Sequence, residues 1–241
     1  MPSFEQALAS LDENLFGHVP SQTTWADRLS LLALYNACHE RFGEFDYLEI
    51  GSHLGGSLQV LIADPRCTSV TSIDSRPATQ PHAGSEPVEY PDNSTARMLR
   101  FLELVPGADL GKLHTFDAST EQLAPEDVPA PPRLCFIDGE HTVAAALRDA
   151  RFCRTVMADE GVIVFHDRRP VLPAIDTFVA ELGAASQESF ALRDRLFAVS
   201  FGEVQIRERA EAILAPHEDR LARMKGRPRL KAAAVESRLR E

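Results

Sequence analysis

The sequence predicts an α/β fold, a mostly parallel sheet with helices on both faces, and three observations carry that expectation. Short apolar, β-branched runs alternate along the chain with longer stretches of helical periodicity. Five successive runs end at an acid or a histidine, a polar rim of the kind that ligands use in open parallel sheets. The first run breaks into Gly51-Ser52-His53-Leu54-Gly55-Gly56-Ser57, and an apolar helical pattern opens at Leu58. A strand that enters a Gly-rich turn and then a helix leaves bare backbone and free N–H groups facing a crevice.

Each element follows in order. A short amphipathic piece (Phe4, Leu8, Leu11, Leu15, Phe16) stops at Gly17 and Pro20. Thr23 or Thr24 caps a helix to about Phe42, with Trp25, Leu29, Leu32 and Ala33 on one stripe and Gly43 as its stop. The first strand is expected over 45–50, the turn and crossover helix over 51–63, and the second strand over 69–73, closed by Asp74. Two strands joined by a helix make a parallel unit with a right-handed crossover. Residues 75–93 are rich in Pro, Gly, Ser, Thr and Glu and read as a structureless insertion: a lid, a binding loop or disorder. Ser94 or Thr95 restarts a helix closed by Pro106-Gly107, and residues 112–116 form the third strand, ending in Asp117. A Pro-rich connection with one helical turn leads to the fourth strand, 133–137, apolar on both faces and ending in Asp138. Thr142 caps the next helix. Residues 162–165 are the fifth strand, ending in His166-Asp167, and 173–182 is a helix. Residues 190–192 and 196–201 read as a closing antiparallel pair, which brings the sheet to seven strands. From Glu203 the chain is charged and Ala-rich, a helical tail either solvated or packed on a partner subunit. The expected organisation is a cap segment over 1–24, a ligand-binding domain over 25–202 and the tail over 203–241.

Composition narrows the function. A chain of 241 residues, 44% of them hydrophobic, suits one sizeable domain. A formal net charge of −11 argues against a nucleic-acid partner, since such binding rests on phosphate neutralisation. No apolar run approaches membrane-spanning length, so no membrane partner is expected. Cys38, Cys67, Cys135 and Cys153 form no C-x-x-C and read as small buried hydrophobes with reduced thiols, which points to the cytoplasm.

A single acid at a strand end is often a helix cap or turn former. The row Glu49, Asp74, Asp117, Asp138 and His166-Asp167 along one rim is harder to assign to caps. Asp74 stands where an acid accepts the ribose hydroxyls of a nucleoside. Together, Glu49-x-Gly51-x-x-x-Gly55, Asp74 and Asp117-Ala118 resemble the class I S-adenosylmethionine-dependent methyltransferases, over roughly residues 25–201. The resemblance implies a Rossmann-like sheet and S-adenosylmethionine as cofactor. It places Glu49, Gly51, Ser52, His53, Gly55 and Ser57 at the cofactor turn, Asp74 on the ribose, Asp117 and Ala118 at the adenine, and Asp138 beside the cofactor as well.

Two further stretches, Phe136-Ile137-Asp138-Gly139-Glu140-His141 and Gly161-Val162-Ile163-Val164-Phe165-His166-Asp167, resemble the macrocin- and catechol-type small-molecule O-methyltransferases. In these, acids after strands four and five hold a divalent metal. The resemblance implies Asp138, His166 and Asp167 as ligands and Mg²⁺ as the first ion expected. Mn²⁺, Fe²⁺ and Zn²⁺ are the alternatives, because His166 stands where the catechol type has a carboxylate and imidazole prefers those ions. A bound cation would lower the pKa of a substrate hydroxyl, and methyl transfer is otherwise a matter of alignment. Asp138, Glu140 and His141 are the catalytic candidates, the last two as base, set against a first-turn helix acid and an exposed histidine. The expected activity is metal-assisted O-methylation of a small molecule (a sugar, phenol or secondary metabolite), with a homodimer or higher homo-oligomer as a further partner. An NAD(P)-dependent oxidoreductase with a variant turn is disfavoured, because none of Tyr35, Tyr47 and Tyr90 has a lysine four residues on. A non-catalytic assembly protein of the same fold is the third alternative.

Overall fold

The computed structural model describes residues 3–81 and 86–224. Helices α1 (Phe4–Ala9) and α2 (Trp25–Phe42) precede β1 (Phe45–Ile50), α3 (Leu58–Ala63) and β2 (Cys67–Ile73). A small hairpin, β3 (Thr79–Gln80) and β4 (Val88–Glu89), leads to α4 (Thr95–Leu102) and β5 (Leu113–Phe116). There follow β6 (Leu134–Ile137), α5 (Val143–Val156), β7 (Gly161–Phe165), α6 (Arg168–Leu182), β8 (Ser186–Ala191), β9 (Phe197–Phe201), α7 (Arg207–Leu214) and α8 (Glu218–Met224). The main sheet has seven strands in the order β5-β2-β1-β6-β7-β9-β8. The first five run parallel, and β9 enters antiparallel between β7 and β8. This is the Rossmann-like architecture expected, with the chain reversing its course across the sheet between β1 and β6.

Burial explains why the central strands are apolar throughout. Successive side chains point to opposite faces, and both faces are covered. On one, Tyr47, Leu134, Phe136, Val162 and Val164 pack with α2, α3, α4 and α7. On the other, Leu48, Cys135, Ile137, Ile163 and Phe165 pack with α5 and α6. All four cysteines are free and buried, as small hydrophobes would be.

Helix α2 starts on the Thr24 cap, whose side chain accepts the Asp27 N–H, and stops at Gly43. Its burial is nearly all-round rather than confined to one stripe, because α1 and α7 cover the side that faces away from the sheet. Part of the segment read as a solvated or partner-bound tail is thereby core. Val204, Ile206, Ala210, Leu214 and Leu221 are buried against the α2 side of the sheet. The remainder of that tail, from 225 on, lies outside the described residues.

Several stretches differ from expectation. Helix α6 begins at Arg168 rather than at 173. The first helical N–H groups have no intrahelical partner, so Pro170 costs nothing there, and Pro173 interrupts the hydrogen-bond ladder only beyond the first turn. Strand β8 begins at Ser186, where its alternating exposed and half-buried residues mark an edge strand. The insertion after Asp74 is not structureless, since β3 and β4 pair within it.

Candidate active site

Backbone sets the first wall of the site. Gly51 N–H donates to the Ile73 carbonyl (2.8 Å), and Asp138 N–H donates to the Ile50 carbonyl (2.8 Å). At Gly51 the backbone has φ +89°, and an added Cβ would lie 2.3 Å from the Asp138 carbonyl oxygen. Only glycine fits between the two strand ends. A Cβ at Gly56 would lie 2.5 Å from the Pro20 carbonyl, so the segment before α2 rests on the same turn. Asp74 is buried and accepts the His53 N–H on Oδ2 and the Arg76 N–H on Oδ1, both at 2.8 Å. His53, Arg76 and Asp167 all hold positive φ, and such outliers among non-glycine residues cluster at functional sites.

Between this wall and the ends of β6 and β7 lies a cavity of about 250 Å³. Gly51 to Leu54, Gly56, Ser57 and Asp74 line one side. Pro20 to Thr23, with Pro77, Gln80, Tyr90 and Asn93 from the hairpin segment, close it over, and Asp138, His141, His166, Asp167 and Arg195 complete it. Burial pushes the His53 imidazole down to about 4, which leaves it neutral against the Tyr90 ring, 4.9 Å away.

On the β6–β7 side the wall is ionic. His166 is buried, with Nδ1 2.8 Å from Asp138 Oδ1 and Nε2 3.5 Å from Asp27 Oδ2. These are ion-pair contacts, and neither ring nitrogen has a hydrogen bond of good geometry. His141 Nε2 lies 3.3 Å from Asp138 Oδ1, and His141 Nδ1 is 3.7 Å from Asp167 Oδ2. Burial opposes a charge on His166, yet the Asp138 and Asp27 carboxylates outweigh it and raise the imidazole well above its usual range. Burial would raise Asp138 too, and the His166 and His141 imidazoles instead hold it well below the usual carboxylate range.

The structure brings Asp138, His141 and His166 together, with one ligand atom from each within 4.8 Å of the others. That set differs from the expected Asp138, His166 and Asp167. Asp167 N-caps α6 in the left-handed region without capping it by its side chain, and its Oδ1 accepts from Arg195 Nη1 at 2.9 Å. A buried imidazole with two unsatisfied nitrogens beside a carboxylate and a second imidazole fits a divalent cation. Two nitrogens and one oxygen suit Mn²⁺, Fe²⁺ or Zn²⁺ better than the Mg²⁺ first expected.

Several expected residues stand elsewhere. Ser52, His53, Ser57, Gly51, Asp74 and Asp138 line the cavity, whereas Glu49, Gly55, Asp117, Ala118 and Glu140 do not. Glu49 lies fully buried beneath the turn, accepting Tyr47 Oη and Ser57 Oγ at 2.6 Å each. Burial pushes it up to about 8 against those two bonds. Asp117 accepts from Thr95 Oγ1, and Arg76, buried, spans the gap to Asp74 at 3.5 Å from each acid. The Glu140 carboxylate accepts from Thr142 Oγ1 (2.8 Å), two residues before the N-cap of α5, so it stands ahead of the helix and not in its first turn. Residues 168–172 contribute nothing to the cavity wall. Sequence reasoning missed Asp27 and Arg195, which come from α2 and the β8–β9 turn and carry no local pattern.

A glycine turn beside a buried strand-end acid, at the carboxyl ends of a sheet of this order, is the class I S-adenosylmethionine-dependent methyltransferase fold. A methyltransferase domain family model matches residues 48–168, and the chain belongs to that family. Comparison with curated proteins finds no match. Among solved structures, the O-methyltransferase NovP is 17% identical, with TM-score 0.55 over 70% of this chain and 79% of that one. The calicheamicin methyltransferase CalS11 is 14% identical, with TM-score 0.52 over 84% of this chain and 95% of that one. The MycE methyltransferase of the mycinamycin pathway, solved with Mg and S-adenosylhomocysteine, is 12% identical, with TM-score 0.54 over 81% of this chain and 54% of that one. At such identities the likeness is one of fold. No helix among the described residues is long and apolar enough to cross a membrane.

Proposed function

We propose that this methyltransferase transfers the methyl group of S-adenosylmethionine to a hydroxyl of a small polar molecule, assisted by a divalent cation held by Asp138, His141 and His166. The convergence of those three donors in the wall of the cavity that Gly51 and Asp74 also line carries the proposal. When bound, the cation would lower the pKa of the acceptor hydroxyl. The chain's own residues do the rest. The Gly51–Gly56 turn seats the methionine part on backbone, and Asp74 accepts the ribose hydroxyls. The neutral His53 adds no positive charge beside a sulfonium. The displacement needs oxygen, carbon and sulfur in line, so the groups that hold the acceptor matter most. Ser21, Gln22, Thr23 and Arg195 give that wall polar donors and acceptors, which supports a sugar-like hydroxyl over a bare phenol. A second reading has support in the His141–Asp138 pair at 3.3 Å, which would accept the hydroxyl proton at the imidazole without a cation.

Calorimetry should give micromolar affinity for S-adenosylhomocysteine and none for NADH; the reverse pattern would end the cofactor assignment. Turnover should disappear with a chelator and return with Mn²⁺ or Zn²⁺. Turnover indifferent to chelation would replace the cation by the His141–Asp138 pair.

A further inference from the structure

We propose that Asp27 is a positioning residue for His166: it fixes the imidazole with Nδ1 toward Asp138 and His141, so that a histidine serves as cation ligand at a strand end. The inference rests on the cation reading above. Asp27 is the third residue of α2 and is fully buried. Its Oδ2 accepts from Thr24 Oγ1 at 2.7 Å and faces His166 Nε2 at 3.5 Å, and its Oδ1 accepts the Arg195 N–H at 2.9 Å. His166 Nδ1 points the other way, 2.8 Å from Asp138 Oδ1. The ring is therefore held end-on between two carboxylates, and the edge of Phe136 stands against it with centroids 6.0 Å apart.

Helix capping alone does not call for this arrangement. The Thr24 hydroxyl already accepts the Asp27 N–H at 3.2 Å, so the cap is made by the threonine. A carboxylate withdrawn from water is costly unless a positive or donor group meets it, and His166 Nε2 is such a group. A ligating imidazole, unlike a carboxylate, has two tautomers and two faces, and only one presents a lone pair to the metal. A carboxylate behind the remote nitrogen selects that tautomer and raises the basicity of the ligating one. The histidine at 166, in place of the carboxylate of the catechol-type pattern, creates the need that Asp27 fills. Through the same side chain, α2 and the β8–β9 turn are tied to the cation trio.

The test measures Zn²⁺ and Mn²⁺ affinity by calorimetry on the full chain, with S-adenosylhomocysteine affinity read on the same samples. Asp27→Asn should weaken cation binding about 10- to 100-fold and leave S-adenosylhomocysteine affinity unchanged. Thr24→Ala, which removes the cap and one donor to the carboxylate but not the carboxylate itself, should weaken cation binding far less than Asp27→Asn, and an equal loss would count against the carboxylate. In a His166→Asp background, where the ligand has no tautomer to select, Asp27→Asn should no longer weaken Mn²⁺ binding. An equal loss in both backgrounds would show a merely structural role and overturn the proposal, and that comparison stands even where Asp27→Asn alone folds poorly. Wild-type protein that binds neither ion would remove the cation reading and this inference with it. Equal cation affinity of wild type and Asp27→Asn would overturn this inference alone.

Discussion

Glu49 and Asp138 belong to neighbouring strands, on β1 and just past β6, and burial acts on both in the same direction, yet they reach opposite states. Burial pushes Glu49 up to about 8, and the Ser57 and Tyr47 hydroxyls reduce that rise without cancelling it. At Asp138 burial also raises the carboxyl, but the His166 and His141 imidazoles overcome it and hold the group ionised. A hydroxyl brings a hydrogen bond, and an imidazolium brings a charge as well. The same contrast separates the two sides of the cavity. The glycine-turn side is mostly backbone, hydroxyls and a neutral imidazole, with Asp74 at its edge, laid over the Glu49 carboxyl. The β6–β7 side is a cluster of charges. A strand-end acid is thus a neutral support beneath the turn in one place and an ion-paired group in the cavity wall in the other, and its partners, not its position, decide which.

The largest test of this division is a substitution that touches both sides. Gly51→Ala puts a methyl group 2.3 Å from the Asp138 carbonyl and forces a side chain into φ +89°. Neither strand end can retreat, because each is hydrogen-bonded to its neighbour. The expected loss is on the order of 5 kcal/mol, comparable with the whole stability of a small domain. S-adenosylhomocysteine binding should vanish. Urea unfolding and calorimetry would check it, and a variant with wild-type stability would show that the two sides are not joined through this contact.

That contact also explains what the sequence could disclose. The glycine-turn side is written in nearly consecutive residues, a strand, three glycines and a helix start, with Asp74 at the end of the next strand, so the cavity-lining Gly51, Ser52, His53, Ser57 and Asp74 were all legible. Strands β1, β2, β5, β6 and β7 were legible for the same reason, each being a short apolar run with a polar end. The charged side assembles from β6, β7, α2 and the β8–β9 turn. Asp138, His141 and His166 showed themselves at strand ends, but Asp27 looks like an ordinary first-turn helix acid and Arg195 like an ordinary turn residue. Pro170 and Pro173 hid the start of α6, and the charges around Ala210 and Leu214 hid the buried stripe of α7.

A middle-sized effect isolates the carboxyl beneath the glycine turn. In the unfolded chain Glu49 releases its proton near 4.5, and in the folded chain it keeps it to about 8. The folded state binds more protons between those values, so stability falls as pH rises through that window and levels off above it. Glu49→Gln has no proton to lose, and its amide still meets both hydroxyls. Its stability should be flatter than wild type between pH 5 and 8, with a difference on the order of 2 kcal/mol at the upper end. Thermal unfolding across that range would check the slope. Parallel curves would mean that Glu49 is ionised, and the contrast with Asp138 would collapse.

The smallest effect marks where the charged side stops. Glu140 and His141 are adjacent in sequence, and only His141 reaches the cavity. The Glu140 carboxylate turns to Thr142 Oγ1 at the start of α5, where its charge meets the positive end of the helix. Glu140→Gln keeps that hydrogen bond and loses the charge, so it should cost about 0.5 kcal/mol of stability and leave turnover unchanged. His141→Ala should lower turnover at least about 100-fold. Measured side by side, the pair separates a base or ligand from a helix-end acid one residue away. Equal losses of turnover would carry the ionic wall past His141 onto the rim of α5, and the acceptor would then approach over the helix end rather than between His141 and the glycine turn.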